Sequence, residues 1–241
     1  MNDNRALYNH LAENYDLRQQ NPSTELLKKK EARLIKKYST GLILDLGCGT
    51  GCHLGLSENV VGLDMSEKML KIAKMRGKQL IQGDIENLPI KTNSLDTVLC
   101  FYSTLNLVGL GKATKEISRV LKFNGVSIVS PTSANDIDKK SAKKNRKTKK
   151  FRLEGKRVRM ELYSKKEVVD QFCKKGFKLV KFDSIFRFQK PKWGNFIEFS
   201  LPEKIKLKLD KMFPREWGRI YFFVFEKQHQ LQHDIHSEHN P

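Results

Sequence analysis

The chain has 241 residues, enough for one domain carrying an insertion and enough to bury a core without disulfides. Its hydrophobic content of 39% excludes a wholly disordered chain, and no apolar run reaches the roughly 18 residues of a membrane-spanning helix. The formal net charge of +19, with a pI near 9.8, exceeds what solubility calls for and sets up the expectation of an anionic partner.

In chain order, residues 1–17 carry charged and polar residues throughout and lack the apolar stretch of a secretory leader. Residues 4–38 read as helical with a break at Pro22: Leu7, Leu11 and Tyr15 recur at helical spacing, then Leu27, Leu34, Ile35 and Tyr38. From Gly41 short apolar runs alternate with amphipathic stretches, the pattern of a parallel α/β sheet. The predicted strands are 42–46, 60–63, 79–82, 97–101, 126–130, 178–182 and 220–225. Ala113, Ile117, Val120 and Leu121 form one helical face. Ser164 and Glu167 make a capping box that opens a helix with Val168, Val169, Phe172 and Cys173 inward and Gly176 at its stop. A last helix over 202–213 places Ile205, Leu209, Met212 and Phe213 on one side and Lys204, Lys208 and Lys211 beside them. The tail from residue 228 is polar. Its His229, His233, His236 and His239 have helix-compatible metal spacing but read as part of a disordered terminus. Cys48, Cys52, Cys100 and Cys173 show no framework spacing, so reduced thiols and a cytoplasmic location are expected.

The charge is concentrated. Between Lys139 and Arg159 twelve Lys/Arg and one acid, Glu154, supply +11 of the +19, leaving a mildly basic remainder. Phe151, Leu153 and Val158 interleave with the cations around Glu154-Gly155, which predicts a hairpin in the C-terminal half of the segment. The segment is expected to be separable: deleting residues 139–159 should leave ligand binding by the rest of the chain intact and remove most affinity for a polyanion.

The sharpest local feature is Leu42-Ile43-Leu44-Asp45-Leu46-Gly47-Cys48-Gly49-Thr50-Gly51, an apolar strand running into a Gly-x-Gly-x-Gly turn. Such a turn brings a ligand against main-chain N–H groups. The next strand ends in Asp64, 17 residues past Gly47, where a carboxylate can accept hydrogen bonds from two ribose hydroxyls. A dinucleotide fingerprint needs its third glycine at position 52, which is Cys52; the glycine is at Gly51 instead.

Asp45-x-Gly47-x-Gly49-x-Gly51 resembles motif I of the class I S-adenosylmethionine (AdoMet)-dependent methyltransferases. The resemblance extends over about residues 8–130. Ala12-Glu13-Asn14-Tyr15-Asp16 is similar to the family's AxxYD segment, and Asp64 holds the place of the acid closing strand two. Asp84-Ile85 matches the adenine-binding pair. Leu88-Pro89 with Leu95-Asp96-Thr97-Val98 resembles LPF…FDxV, and Arg119 to Gly125 resembles RVLKPGG with Phe123 and Asn124 in place of Pro-Gly. The resemblance implies a seven-stranded doubly wound α/β sheet, a Rossmann-like methyltransferase fold. Residues 1–40 would be its helical cover, 41–131 the AdoMet-binding core, 132–217 a basic insertion with the sixth strand and acceptor cap, 218–227 the final strand, and 228–241 a disordered tail. It implies AdoMet held by Tyr15, Asp45, Gly47, Cys48, Gly49, Gly51, Asp64, Met65, Asp84, Ile85 and Phe101. Acceptor-facing groups are expected just past strand four, with Tyr102, Ser103 and Asn106 as orienters; no histidine follows that strand to act as a base.

The short link from Gly51 to Val60 and the stretch Glu161 to Glu167 are similar to the group that methylates carboxymethyl uridines of tRNA, which carries GxGKYL and HLYxxxEL there. Leu105-Asn106 stand in place of that group's two histidines and Cys52 in place of its Lys. RNA, in particular tRNA, is thus the expected partner, through Lys139 to Arg159 and with Phe186, Phe188, Trp193, Phe196 and Trp217 available for stacking. An accessory protein subunit is a further possibility. The alternatives are a small-molecule methyltransferase, acting on a quinone or natural-product precursor, and a non-catalytic AdoMet-fold RNA-binding subunit.

Overall fold

The computed structural model describes residues 2–76, 78–102, 104–136, 148–185, 211–212 and 214–229. The helical cover comprises α1 (Asn2–Leu11), a 3-10 turn, the short α2 (Tyr15–Arg18) and α3 (Pro22–Tyr38). Pro22 opens α3, where its missing N–H is no loss, and the Asn21 side chain accepts from Thr24 N at 3.0 Å as the N-cap.

The sheet follows as β1 (Ile43–Leu46), β2 (Val60–Asp64), α4 (Glu67–Lys74), β3 (Gln79–Gln82), β4 (Leu95–Cys100), α5 (Leu110–Val120) and β5 (Leu121–Val129). A two-stranded hairpin, β6 (Thr148–Leu153) and β7 (Lys156–Glu161), precedes α6 (Lys165–Cys173), β8 (Phe177–Ile185) and β9 (Ile220–Lys227). Seven strands form one sheet in the order β3-β2-β1-β4-β5-β9-β8; β1 to β5 run parallel and β9 runs antiparallel to both its neighbours. The order reverses between β1 and β4, so loops at the carboxyl ends of those strands open a crevice, the usual ligand position in such sheets.

The pleat sorts the core. On β1, Leu44 and Leu46 join Val98, Val129, Phe223 and Phe225 under α5 and α6, whereas Ile43 joins Val60, Leu99, Ile128 and Val224 under Ile35 of α3. Asp45 therefore points toward α3. Several strands extend beyond their predicted bounds, among them β4, β5, β8 and β9. Leu121, expected on the helix, instead pairs with Leu95, after which the register shifts and exposed Lys122–Asn124 loop out at Asn124, whose φ is 62°. The Ser164–Glu167 capping box is present, with Val168 and Phe172 buried. Cys173, predicted inward, is exposed, because the buried stripe of that short helix runs through residues four apart.

The hairpin corrects the expectation that the basic segment is separable. Val158 and Met160 are buried against Leu7, Leu11 and Ala12 of the cover and Met69 of α4, with Phe151 and Leu153 packed alongside. The turn residue Glu154 also pairs with Arg18 and His10. Deleting 139–159 would open the core of the cover, so only the outward face can be tested independently. Residues 139–147, the stacking candidates Phe186, Phe188, Trp193 and Phe196, most of the predicted helix over 202–213 and His233, His236 and His239 lie outside the described residues. Of Trp217 only the backbone, in a 3-10 turn, is described. No helix among the described residues is long and apolar enough to cross a membrane, and no cluster of His, Cys, Asp and Glu among them could hold a metal.

Candidate functional site

A cleft with about 890 Å³ of empty space, its open mouth included, lies at the carboxyl ends of β1, β2 and β4 under the helical cover. One wall is the glycine turn. Gly47 has φ 70°, and a Cβ there would sit 2.7 Å from Thr104 Cγ2. Gly51 has φ 88°, and a Cβ there would come within 2.8 Å of Leu54. Both positions demand glycine for backbone geometry and for closeness of approach.

The floor is set by two carboxylates. Asp64, closing β2, accepts from Gly49 N at 2.9 Å and from Ser66 N at 2.8 Å, which fixes its orientation while leaving lone pairs toward the cleft. Burial raises its pKa, and the N–H groups of Ser66 and Gly49 pull the other way. Asp84 is held by Glu86 N at 2.9 Å, next to the buried Ile85. The roof comes from the cover: Tyr8, Tyr15, Asp16, Gln19 and Lys28 line the cleft. Burial pushes the Tyr8 phenol up to about 12 and raises Tyr15 further, so both stay neutral. Asp16 fastens the roof to the glycine turn, accepting from Thr50 Oγ1 at 2.5 Å and pairing with Arg76 at 3.4 Å, while Arg76 Nε donates to Thr50 O.

Of the cofactor residues predicted from sequence, Tyr15, Gly47, Cys48, Gly49, Asp64, Met65, Asp84 and Ile85 line this cleft. Asp45, Gly51 and Phe101 do not; they support it from behind. Of the acceptor candidates, Tyr102 lines the cleft in a left-handed conformation, φ 50°, and its buried hydroxyl has no hydrogen-bond partner among the described residues. Ser103 lies outside the described residues. Asn106 is elsewhere employed: its amide donates to Thr132 O and Glu161 O, and its carbonyl accepts from Thr132 N at 2.8 Å, stapling the loop after β4 to the ends of β5 and β7.

The sequence reading missed the buried charges behind the turn. His53 Nε2 lies 3.1 Å from Glu31 Oε2 of α3, and Nδ1 lies 3.6 Å from Asp45 Oδ2 of β1. Glu31 is 0% exposed and its other oxygen accepts from Ser130 Oγ at 3.1 Å. Burial alone would depress the imidazole, but Asp45, Cys52 and Glu31 outweigh it and hold His53 well above the usual histidine range. The charged imidazole packs against Phe101 at 4.8 Å and stacks on Tyr102 at 5.6 Å, so the triad ties α3 to the glycine turn and braces the strained Tyr102. A signal for it existed. Thr24, Glu31 and Ile35 share one stripe of α3, and the β1 pleat puts Asp45 on the side of Ile43 facing it. Two inward acids on facing elements call for a cation between them.

Residues 44–129 match the model of a methyltransferase domain family. An uncharacterized protein of Methanocaldococcus jannaschii is 35% identical over 194 residues, covering 73% of this chain and 76% of that protein. A SAM-dependent methyltransferase from Thermotoga maritima has the same fold, with a TM-score of 0.66 at 22% identity over 93% of this chain and 99% of that one. The chain belongs to the class I AdoMet-dependent methyltransferases. Its cofactor is AdoMet, and the cleft fits it: two glycines leave room for close backbone approach, and carboxylates stand where hydroxyl and amine donors would need acceptors. The methyltransferase is also 32% identical over 146 residues to a demethylmenaquinone methyltransferase of Staphylococcus carnosus, spanning 54% of this chain and 61% of that relative. Its fold further resembles a Haloferax volcanii methyltransferase solved with the Trm112 methyltransferase activator, with a TM-score of 0.64 at 18% identity over 92% of this chain and 98% of that one.

Proposed function

We propose that this methyltransferase modifies a nucleotide of RNA, tRNA in the first instance, with the outward face of the β6–β7 hairpin engaging the phosphate backbone. The observation that carries the reading is a set of like charges placed directly opposite each other. In the hairpin register Lys150 faces Arg159 and Arg152 faces Arg157, all four exposed. Cross-strand like charges destabilise a ribbon. Arg159 pairs with Glu161 at 2.7 Å; Lys150, Arg152 and Arg157 have no carboxylate partner among the described residues. A polyanion laid across the ribbon relieves that repulsion and gains from counterion release.

AdoMet supplies an electrophilic methyl carbon on a sulfonium, and transfer is an in-line displacement in which the acceptor lone pair forms the new bond as the carbon–sulfur bond breaks. The chain's work is positioning. In the proposed arrangement Asp64 accepts from the ribose, Asp84 and Ile85 bind the adenine, Gly47 and Gly49 admit the methionine end close to the main chain, and Tyr102 orients the acceptor as part of the cleft wall. A carboxylate acceptor such as a carboxymethyl uridine needs no base, which agrees with the lack of a histidine among the described residues that line the cleft.

A second reading, methylation of a quinone-type small molecule, is favoured by the demethylmenaquinone methyltransferase relatives. An accessory subunit is part of the proposal on the strength of the Haloferax neighbour. Methyl transfer from labelled AdoMet into cell extract, with and without nuclease, separates the two acceptors. Nuclease-sensitive label supports RNA; label that survives nuclease and partitions into organic solvent supports the quinone.

A further inference from the structure

The roof of the cleft contains one charge that the arrangement above leaves unused. Lys28 is the only basic residue among the described residues lining the cleft, and it is half-buried. Its position on α3 is not that of a solvent-facing lysine. The buried stripe of the helix runs Thr24, Glu31, Ile35, and Lys28 falls four residues after the first and three before the second, on the inward side. Among the described residues it makes no hydrogen bond and no ion pair. The acids within reach of that side are already committed. Glu31 gives its two oxygens to His53 and Ser130, and Asp16 gives its own to Thr50 and Arg76. A half-buried ammonium without a counter-charge is costly, so the site is built for an anion that arrives with a ligand.

The chemistry of the cofactor identifies that anion. AdoMet carries two cations, the sulfonium and the α-ammonium, and one anion, the methionine carboxylate. The adenosine end is assigned to Asp64, Asp84 and Ile85, and the methionine end falls between the glycine turn and the roof, where Lys28, Tyr15, Gln19 and Cys52 line the cleft. We infer that Lys28 is the carboxylate receptor of the cleft and anchors the methionine end of the cofactor from the helical cover. The bond is a charge-assisted N–H···O contact, and it makes affinity depend on an intact amino-acid moiety.

This inference rests on the cofactor orientation proposed above, and two probes separate the failure of one from the failure of the other. S-adenosylhomocysteine carries the carboxylate; 5′-methylthioadenosine keeps the adenosine and thioether but lacks it. Calorimetric affinities of both would be measured for the full chain, Lys28→Met, Lys28→Arg and Asp64→Asn. The expected result is that Lys28→Met weakens S-adenosylhomocysteine by about 10- to 100-fold, the range of a charge-assisted hydrogen bond, and leaves 5′-methylthioadenosine within about twofold. Lys28→Arg recovers part of the loss, and Asp64→Asn weakens both probes. If Lys28→Met leaves the ratio of the two affinities at its wild-type value, the assignment is overturned, even if methyl transfer falls; the anion it serves would then belong to the acceptor. If Asp64→Asn leaves both probes unaffected, the orientation itself is wrong.

Discussion

Replacing Glu31 by Ala is the most searching perturbation of the site's support. Glu31 is fully buried, 3.1 Å from His53 Nε2 and 3.1 Å from Ser130 Oγ, and the imidazole it faces is held in its charged form. Removing the carboxylate strands an imidazolium whose remaining partner, Asp45, is 3.6 Å away, and leaves a cavity beside Ser130. Breaking one side of a buried ion pair costs about 3–5 kcal/mol. At about 2–4 °C per kcal/mol for a chain of this size, the melting temperature should fall by about 6–20 °C. Glu31→Gln keeps the shape and the Ser130 contact and should cost about 1–3 kcal/mol. Thermal and urea unfolding followed by circular dichroism, with a Glu31→Ala/His53→Ala cycle, measures both the losses and their coupling. The double variant should be less destabilised than the sum of the singles by about 1–3 kcal/mol. Additivity within about 0.5 kcal/mol would refute the triad as a coupled unit. The pH dependence has a fixed sign. A histidine whose folded-state pKa lies above its unfolded value of ~6.5 contributes fully below that value and loses its contribution as pH rises through the folded-state pKa. Wild-type stability should therefore decline toward alkaline pH relative to His53→Asn, and the opposite slope would contradict a charged imidazole.

The other predictions concern the cleft and the ribbon. Asp64→Asn should weaken AdoMet by about 10- to 100-fold, since the amide cannot accept from Gly49 N, Ser66 N and a ribose with the same set of oxygens; calorimetry reads the loss. Gly47→Ala should cost about 1–3 kcal/mol, through the left-handed backbone and the 2.7 Å approach to Thr104, and should lower cofactor affinity with it, as unfolding and titration would show. Neutralising Lys150, Arg152, Arg157 and Arg159 to Gln keeps Phe151, Leu153, Val158 and Met160 in place. It should spare AdoMet affinity while flattening the salt dependence of RNA binding by about 0.7 per lost phosphate contact on a log–log plot. An unchanged salt slope in filter binding would remove the ribbon from the RNA reading.

Much of the fold was legible because β1 and its glycine turn speak locally. An apolar run, a glycine at Gly51 in place of Cys52 and an acid at Asp64 identify the sheet's switch point without long-range information. Gln79–Gln82 and the Ser164 cap were legible for the same reason. The limits of β4 and β5 were not, since Leu121 becomes strand only by pairing with Leu95 across the sheet. The site divides the same way. Residues placed by the turn itself, such as Gly47 and Asp64, line the cleft as expected. Asn106 was misread because its amide is claimed by Thr132 and Glu161, 26 and 55 residues away in sequence, and no local pattern reports such a claim. His53 was passed over because its partners come from α3 and β1. The basic segment looked detachable because charge dominates its composition, whereas its apolar minority, Val158 and Met160, decides where it packs.

Binding of AdoMet in the cleft beneath the cover through Asp64 and Asp84 is decided by isothermal titration of the full chain with AdoMet, beside Asp64→Asn and Asp84→Ala. The predicted result is one-to-one binding by the wild type that weakens at least tenfold in each variant while both variants still unfold cooperatively. Equal affinity in all three proteins, or no heat of binding with the wild type, would contradict it.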